Sequence, residues 1–275
     1  MFRVVGMCMC VTVGLAGVLG CATENVQSVE AQEANAPASP PTDLYAGSPY
    51  LRELRNSLVY GEIWERSQLS KRDRSLITIA VLQALAREEL AIHIPRGLEN
   101  GLSPEEISEI ILHVTFYAGW PTGVQASLTA AEAFEDRGVS LGDLPRAPAG
   151  SDVSTPGSLS DAYAAVPRLG ELRNSLLYGD IWERPLLSKR DRSLVTVAVN
   201  QALYATNELR LHIDRALDQN GVTPQEISEV ILHVTFYAGW PAAVNAGRLA
   251  TAAFEARDVD LSELCLLYTS DAADE

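Results

Sequence analysis

An all-α fold made of two copies of one helical unit is what this sequence predicts, on three observations. The run Ile111-Leu-His-Val-Thr-Phe-Tyr-Ala-Gly-Trp-Pro121 recurs unchanged from Ile231 to Pro241, and Leu69-Ser-Lys-Arg-Asp-Arg-Ser-Leu76 recurs from Leu187 to Leu194, in the same order. Two such matches mark an internal repeat, so whatever one half builds the other builds again. Apolar residues within each half fall at helical spacing between cap signals, and no segment alternates apolar and polar residues between hairpin turns. A length of 275 residues with 47% hydrophobic composition is enough for two units with their own cores.

The elements follow from local chemistry. In the first half, Ser48-Pro49 opens a helix through Tyr60, with serine as the cap and proline at the first helical position, and Gly61 ends it. Ser70 caps a second helix running to about Ala86. Its Leu76, Ile77, Ile79, Ala80, Val81, Leu82 and Leu85 leave hardly a polar face, which predicts a central, buried helix. Glu88 to Asn100 forms a third, closed by Asn100-Gly101. Ser103-Pro104-Glu105-Glu106 is a capping box leading into Ile107, Ile110, Ile111 and Val114 at helical spacing. Gly119-Trp120-Pro121 breaks the chain before a last helix from Val124 to Arg137.

The flanks read differently. Residues 1–21 have the shape of a secretory signal: Arg3, an apolar run from Val4 to Leu19, and Val18-Leu19-Gly20-Cys21, which resembles a bacterial lipobox whose Cys21 carries the lipid. Ala22 beside it implies the outer membrane, at the periplasmic face, with a lipid anchor as the only membrane attachment. Residues 22–42, including Ala36-Pro-Ala-Ser-Pro-Pro41, hold too few large apolar groups to offset their ordering entropy and read as a disordered tether. The repeats then occupy 43–145 and 161–264, separated by a Pro/Gly-rich linker at 146–160. The tail from Cys265 to Glu275 abandons the repeat pattern and resembles translated transposase-adapter sequence; it is read as an artefact, the natural chain continuing differently after about Leu264.

Composition limits the chemistry. A formal charge of −15, from 21 Lys plus Arg against 36 Asp plus Glu, repels phosphate backbones and argues against nucleic acid as a partner. The four cysteines are Cys8, Cys10, Cys21 and Cys265, so both repeats lack thiols and with them disulfides, thiolate nucleophiles and Cys-ligated zinc. The four histidines fall in two equivalent pairs, His93 with His212 and His113 with His233. Glu89 and Glu208 each precede a histidine of the first pair by four residues, one turn away on the same helix face. A carboxylate there orients an imidazole and raises its pKa, as a general acid or base requires, or else the two are an ordinary surface pair. His113 and His233 flank an apolar stripe and read as satisfied core histidines. Glu and His one turn apart can also ligate an ion, but no third ligand stands at diagnostic spacing, so no metal is expected.

The blocks Asp191 to Ala198, Asn207 to Ile213, Asn220 to Val230 and Tyr237 to Ala243, with their counterparts Asp73 to Ala80, Glu88 to Ile94, Asn100 to Ile110 and Tyr117 to Pro121, resemble the successive signatures of carboxymuconolactone decarboxylases. The resemblance implies an all-α fold shared with alkylhydroperoxidase D, ring-like homo-oligomers, and a fused pseudo-dimer in this chain. The redox branch of that family places a CxxC four residues before its histidine. Here Ala86 and Ala205 stand at the first cysteine position and Glu89 and Glu208 at the second, so thiol peroxidase chemistry has no nucleophile. The decarboxylase branch has Glu and His at these places and needs no cofactor.

The resemblance therefore implies loss of CO2 from a small unsaturated carboxylic acid or lactone, with His212 as acid and Glu208 as its orienting partner, and His93 and Glu89 as their equivalents. Arg192, matching the family's Arg before Ser-Leu, is read as binding the carboxylate or enolate oxygen, or else as a surface charge beside Asp191. Tyr237 is read as shaping a pocket turn. A non-catalytic, envelope-tethered module binding a small ligand or a protein is the alternative. The repeats are expected to be unequal, because the first is one residue shorter between Ser75 and Glu89 than the second between their equivalents. Pro95 and Gly97 stand where the second has Asp214 and Ala216, so the helix bearing His93 should be kinked or misdirected unless the turn before it absorbs the loss or it starts late. The second repeat is then expected to carry the activity.

Overall fold

A computed structural model of the chain describes residues 43–144, 163 and 165–265. The signal, Cys21, the tether, the linker core and the tail beyond Cys265 lie outside the described residues. Residues 43–46 fall in a unit of their own, where Asp43 accepts from the Tyr45 backbone N–H at 2.9 Å; from Gly47 onward both repeats form one compact unit.

The first repeat runs α1 (Pro49–Leu54), α2 (Lys71–Ala84), α3 (Leu90–Glu99), α4 (Pro104–Ala118) and α5 (Trp120–Glu135), with a π-helical turn at Arg55–Tyr60 and a 3-10 turn at Ile63–Glu65. The second repeats this as α6 (Pro167–Leu172), α7 (Lys189–Ala202), α8 (Thr206–Gln219), α9 (Pro224–Ala238) and α10 (Trp240–Glu255), with its π turn at Arg173–Tyr178, and α11 (Leu261–Cys265) follows. No strand occurs among the described residues, so the all-α tandem architecture is as expected. None of the described helices is long and apolar enough to cross a membrane.

Caps set the helix starts. Ser70 and Ser188 accept from Asp73 N and Asp191 N at 3.0 Å each, and Ser103 and Thr223 form reciprocal capping boxes with Glu106 and Glu226. Gly119 alone makes the break between α4 and α5: its φ of 93° ends one helix, and Trp120-Pro121 already begins the next. The helix opened by Ser48 does not run on to Tyr60 as α-helix but widens into the π turn, and Ser48 makes no side-chain cap.

α2 and α7 are central. Every residue from Asp73 to Ala84, and from Asp191 to Ala202, is buried. α2 packs on α7 and on α9, and α7 on α4, so each repeat completes the other's core. Each fully buried Leu, Ile or Val of that core contributes about 1.5–3 kcal/mol.

Ion pairs cross between the repeats at equivalent places. Arg72 reaches Asp191 at 3.0 Å and Arg190 reaches Asp73 at 2.9 Å. Deeper inside, Arg74 pairs with Glu229 at 3.0 Å and Arg192 with Glu109 at 2.9 Å, and Arg66 and Arg184 approach the same carboxylates. Breaking a buried pair of this kind typically costs about 3–5 kcal/mol, because it strands a charge in low dielectric.

The expected misdirection of the first histidine helix does not occur. Leu90 N–H bonds the carbonyl of Arg87, three residues back, at 3.2 Å, whereas Leu209 N–H bonds Ala205, four back, at 2.8 Å. The missing residue is absorbed by tightening that turn, so the helix starts late, at Leu90, and runs on through Pro95. Gly97 is compensated as well. A Cβ there would stand 2.8 Å from Ile79 Cδ1 and 3.2 Å from Leu102 Cδ1, and where the second repeat has Ala216 it has the shorter Val197 and Val222 at the equivalent positions. The methyl removed at 97 makes room for those added at 79 and 102.

Candidate functional site

Two equivalent pockets form, each from both repeats. In the first, the π turn and the following 3-10 turn bring up Tyr60 and Trp64, α3 brings His93, and α9 of the other repeat brings His233 and Tyr237. Gly61 ends the π turn because a Cβ there would sit 2.5 Å from the Ser57 carbonyl oxygen. Tyr60 stacks on Trp64 at 5.8 Å between centroids, and Trp64 on His93 at 6.1 Å. Tyr237 meets His93 edge-on at 5.6 Å, and its hydroxyl accepts from the Trp64 indole N–H at 3.1 Å. The second pocket repeats the set: Tyr178 on Trp182 at 6.0 Å, Trp182 on His212 at 5.9 Å, Tyr117 edge-on to His212 at 5.6 Å, and Trp182 N–H donating to Tyr117 at 2.8 Å.

Behind each pocket lies a locked histidine. His233 Nε2 and Thr78 Oγ1 are 2.8 Å apart, and the Thr78 hydroxyl donates to the Arg74 carbonyl at 2.7 Å. Arg74 Nη1 lies 3.4 Å from His233 Nδ1, which assigns the proton to Nε2 and keeps the ring neutral. His113, Thr196 and Arg192 make the mirror-image chain. Burial and the adjacent arginine hold both imidazoles well below the usual histidine range. These are the satisfied core histidines the sequence suggests.

The front histidines are different. His93 and His212 are 6% and 4% exposed, and His93 Nδ1 is buried with no hydrogen-bond partner. Burial, and then the nearby Arg96 or Arg215 charge, pulls each down to about 4. Burial pushes the Tyr117 and Tyr237 hydroxyls well above the usual phenol range, so both keep their protons. No three of His, Cys, Asp and Glu converge on a possible metal site among the described residues.

The sequence profile of the carboxymuconolactone decarboxylase family matches residues 49–133 and 167–252, together more than half of the chain. The chain belongs to that family. Over 81 residues it is 46% identical to the 4-carboxymuconolactone decarboxylase of Acinetobacter baylyi, a match covering 29% of this chain and 60% of that protein. Over 76 residues it is 40% identical to a nitrosuccinic acid decarboxylase of Metarhizium robertsii, covering 28% of this chain and 52% of that one. It thus spans little more than half the length of the curated relatives it matches.

Set on this family fold, the residues singled out in the sequence divide. His93 and His212 each enter a pocket. Glu89 and Glu208 do not accompany them: both are exposed, and neither bonds its histidine. The reason is position, since Glu89 stands just before the first residue of α3, without a capping bond, and Glu208 sits in the first turn of α8, at helix ends that face water, while the imidazoles one turn on are covered by Trp64 and Trp182. Their expected upward effect on the histidine pKa is replaced by the downward effect of burial. Arg192 is neither a ligand for substrate nor a surface charge. A guanidinium with no exposure must find partners inside, and it holds Glu109, the Arg184 carbonyl and His113. Tyr237 does reach a pocket, but that of His93, not His212.

Three positions in the first pocket, Tyr60, Trp64 and Arg96, and four in the second, Tyr178, Trp182, Arg215 and Tyr117, went unread. A signal was present, because Tyr60-Gly-Glu-Ile-Trp-Glu-Arg66 recurs almost unchanged as Tyr178-Gly-Asp-Ile-Trp-Glu-Arg184 in a stretch with too few apolar residues to need it for a core.

Proposed function

We propose that the chain is a cofactor-free carboxy-lyase acting on a small unsaturated carboxylic acid or lactone, with His93 and His212 as the proton donors of two equivalent pockets. The observation that carries this reading is a buried imidazole packed edge-on against the ring of a protonated tyrosine, Tyr237 or Tyr117, in a thiol-free aromatic pocket. The C–C bond to the carboxylate breaks, CO2 leaves, and its electron pair moves into the conjugated system as an enolate. A tyrosine that accepts from the tryptophan N–H still carries a proton of its own to donate to that enolate oxygen. The imidazole is neutral while the pocket is empty. A bound carboxylate supplies the opposite charge that burial denies it, raises its pKa and so charges it in the complex, ready to protonate carbon.

The test is CO2 release from a panel of small unsaturated acids and lactones. The wild-type chain is expected to release CO2 and His93→Ala/His212→Ala to lose at least about a hundredfold while staying folded. Saturable binding without CO2 from any member would replace this reading by the non-catalytic binding module.

Independently of that reading, we propose that the chain sits at the periplasmic face of the outer membrane, anchored through lipid on Cys21; the apolar run from Val4 to Leu19 and Leu19-Gly20-Cys21-Ala22 support it. Cys21→Ser is expected to move the protein out of the membrane fraction or block its processing. An unlipidated mature protein starting at another residue would end this part of the proposal. Self-association into a ring, which the resemblance implies, has exposed apolar surface to use at Trp120, Val124 and Leu128 and at Trp240 and Val244.

A further inference from the structure

We propose that Arg96 with Arg55, and Arg215 with Arg173, are the carboxylate receptors of the two pockets, holding an acid group that the ligand keeps. This deepens the proposed carboxy-lyase reading and takes over the task that Arg192 cannot perform.

The geometry is built by the π turn. Bonding from i to i+5 brings residues five apart onto one face, and the turns Arg55–Tyr60 and Arg173–Tyr178 begin with an arginine and end with a tyrosine. The Arg55 guanidinium lies 4.7 Å from the Tyr60 ring centroid, and Arg96, arriving from α3, lies 4.9 Å from it and donates to the Tyr60 hydroxyl. Arg173 and Arg215 each lie 4.7 Å from the Tyr178 centroid. Each tyrosine is the outer member of the stack that ends on the buried histidine. In the first repeat these groups line a cavity of about 430 Å³ together with Asn56, Trp64, Glu65, Lys71, Glu99 and Asn100; His93 and Tyr237 are not part of its lining.

Charge is what singles these four arginines out. Arg66, Arg72, Arg74, Arg184, Arg190 and Arg192 are each paired with a carboxylate. Arg55, Arg96, Arg173 and Arg215 are half-buried and have no carboxylate partner among the described residues. The acids near the first pair are already engaged, Glu65 with Lys71 and Glu99 with Arg137. Two guanidinium groups on one ring repel each other, and an anion between them turns that repulsion into two charge-assisted hydrogen bonds. The buried, unpartnered Nδ1 of His93 lies at the inner end of the same stack, beyond Trp64.

Which acid group is held follows from the reaction. A cation on the departing carboxylate stabilises the ground state and loses its partner as neutral CO2 forms, which raises the barrier. A cation on a retained carboxylate binds ground and transition state alike. The receptor should therefore act on affinity and leave the chemical step alone.

The test is Arg96→Gln/Arg215→Gln in the full chain, probed with maleate, its monomethyl ester and its dimethyl ester by ligand-detected NMR. Wild type is expected to bind maleate saturably, the diester not at all, and the double variant to lose at least tenfold in affinity with an unliganded melting temperature no lower than wild type. Arg248→Gln, on the exposed side of α10, should bind as wild type. Unchanged affinity in the double variant, equal binding of diacid and diester, or no saturable binding of maleate to wild type would each overturn the receptor. Turnover separates the two proposals. Any substrate should show KM raised at least tenfold with kcat within about threefold in the variant. Arginine-dependent binding without CO2 release would leave the receptor standing and remove the lyase reading, and unchanged kcat/KM in the variant would do the reverse.

Discussion

Lowering the pH from 7.5 to 5 is expected to cost the fold about 2 kcal/mol at each of His93 and His212, before ordinary carboxylates begin to titrate. The sign follows from burial. Both imidazoles are pulled from the usual 6.5 to about 4 in the folded chain, so between those values the unfolded chain binds more protons than the folded one. Stability is therefore fully present above about 6.5, falls as pH drops through the window, and has lost about 3 kcal/mol per histidine below about 4. His113 and His233 are also held well below the usual histidine range and add to the slope in the same direction. Urea midpoints of wild type and of His93→Phe/His212→Phe, which keep a ring on the tryptophan but cannot titrate, check this. The variant should lose clearly less stability between pH 7.5 and 5. An equal loss would mean that these two imidazoles are hydrated enough to charge freely in the folded chain.

The same burial explains what the sequence made legible and what it did not. Caps and periodicity are local, so Ser70, the Ser103 capping box and the all-round apolar run from Leu76 to Leu85 were enough to place α2 and α4 and to predict that α2 is buried. The start of α3 is not local. Pro95 and the missing residue favour a disrupted helix when read alone, and only packing against Trp64, Ile79 and Leu102 shows that a tightened turn and a small Gly97 restore His93 to its place. Arg74 and Arg192 could have been read better. An arginine inside a helix with no polar face has no route to water, which demands a buried carboxylate, and Glu109 and Glu229, set among Ile107, Ile110 and Ile111 or Ile227, Val230 and Ile231, are its only match in the apolar stripe. The exchange of tyrosines between repeats was beyond reach, because spacing along one copy is silent about which copy a side chain meets.

That exchange carries the largest effect on function, and disabling one pocket makes it measurable. In a chain carrying His93→Ala only the pocket of Trp182 and His212 remains, and its tyrosine comes from the first repeat, as Tyr117. Adding Tyr117→Phe to that background is expected to cut the remaining turnover by about 10²-fold, the usual cost of losing a donor to a developing oxyanion. Adding Tyr237→Phe instead should change nothing further, because Tyr237 serves the pocket already disabled. With His212→Ala as the background the two tyrosines should trade places. A site assembled from one repeat alone predicts the opposite pattern in both backgrounds, so Tyr237→Phe damaging the His93→Ala chain would show that the pockets do not exchange residues. Because each phenylalanine keeps the ring against its histidine, thermal melts of the four double variants should agree within a few degrees, which keeps a loss of function from being read as a loss of fold. Two half-sites that each depend on the other repeat also give the duplication a physical reason to persist: either copy alone would lack the tyrosine that meets its histidine edge-on and accepts from its tryptophan.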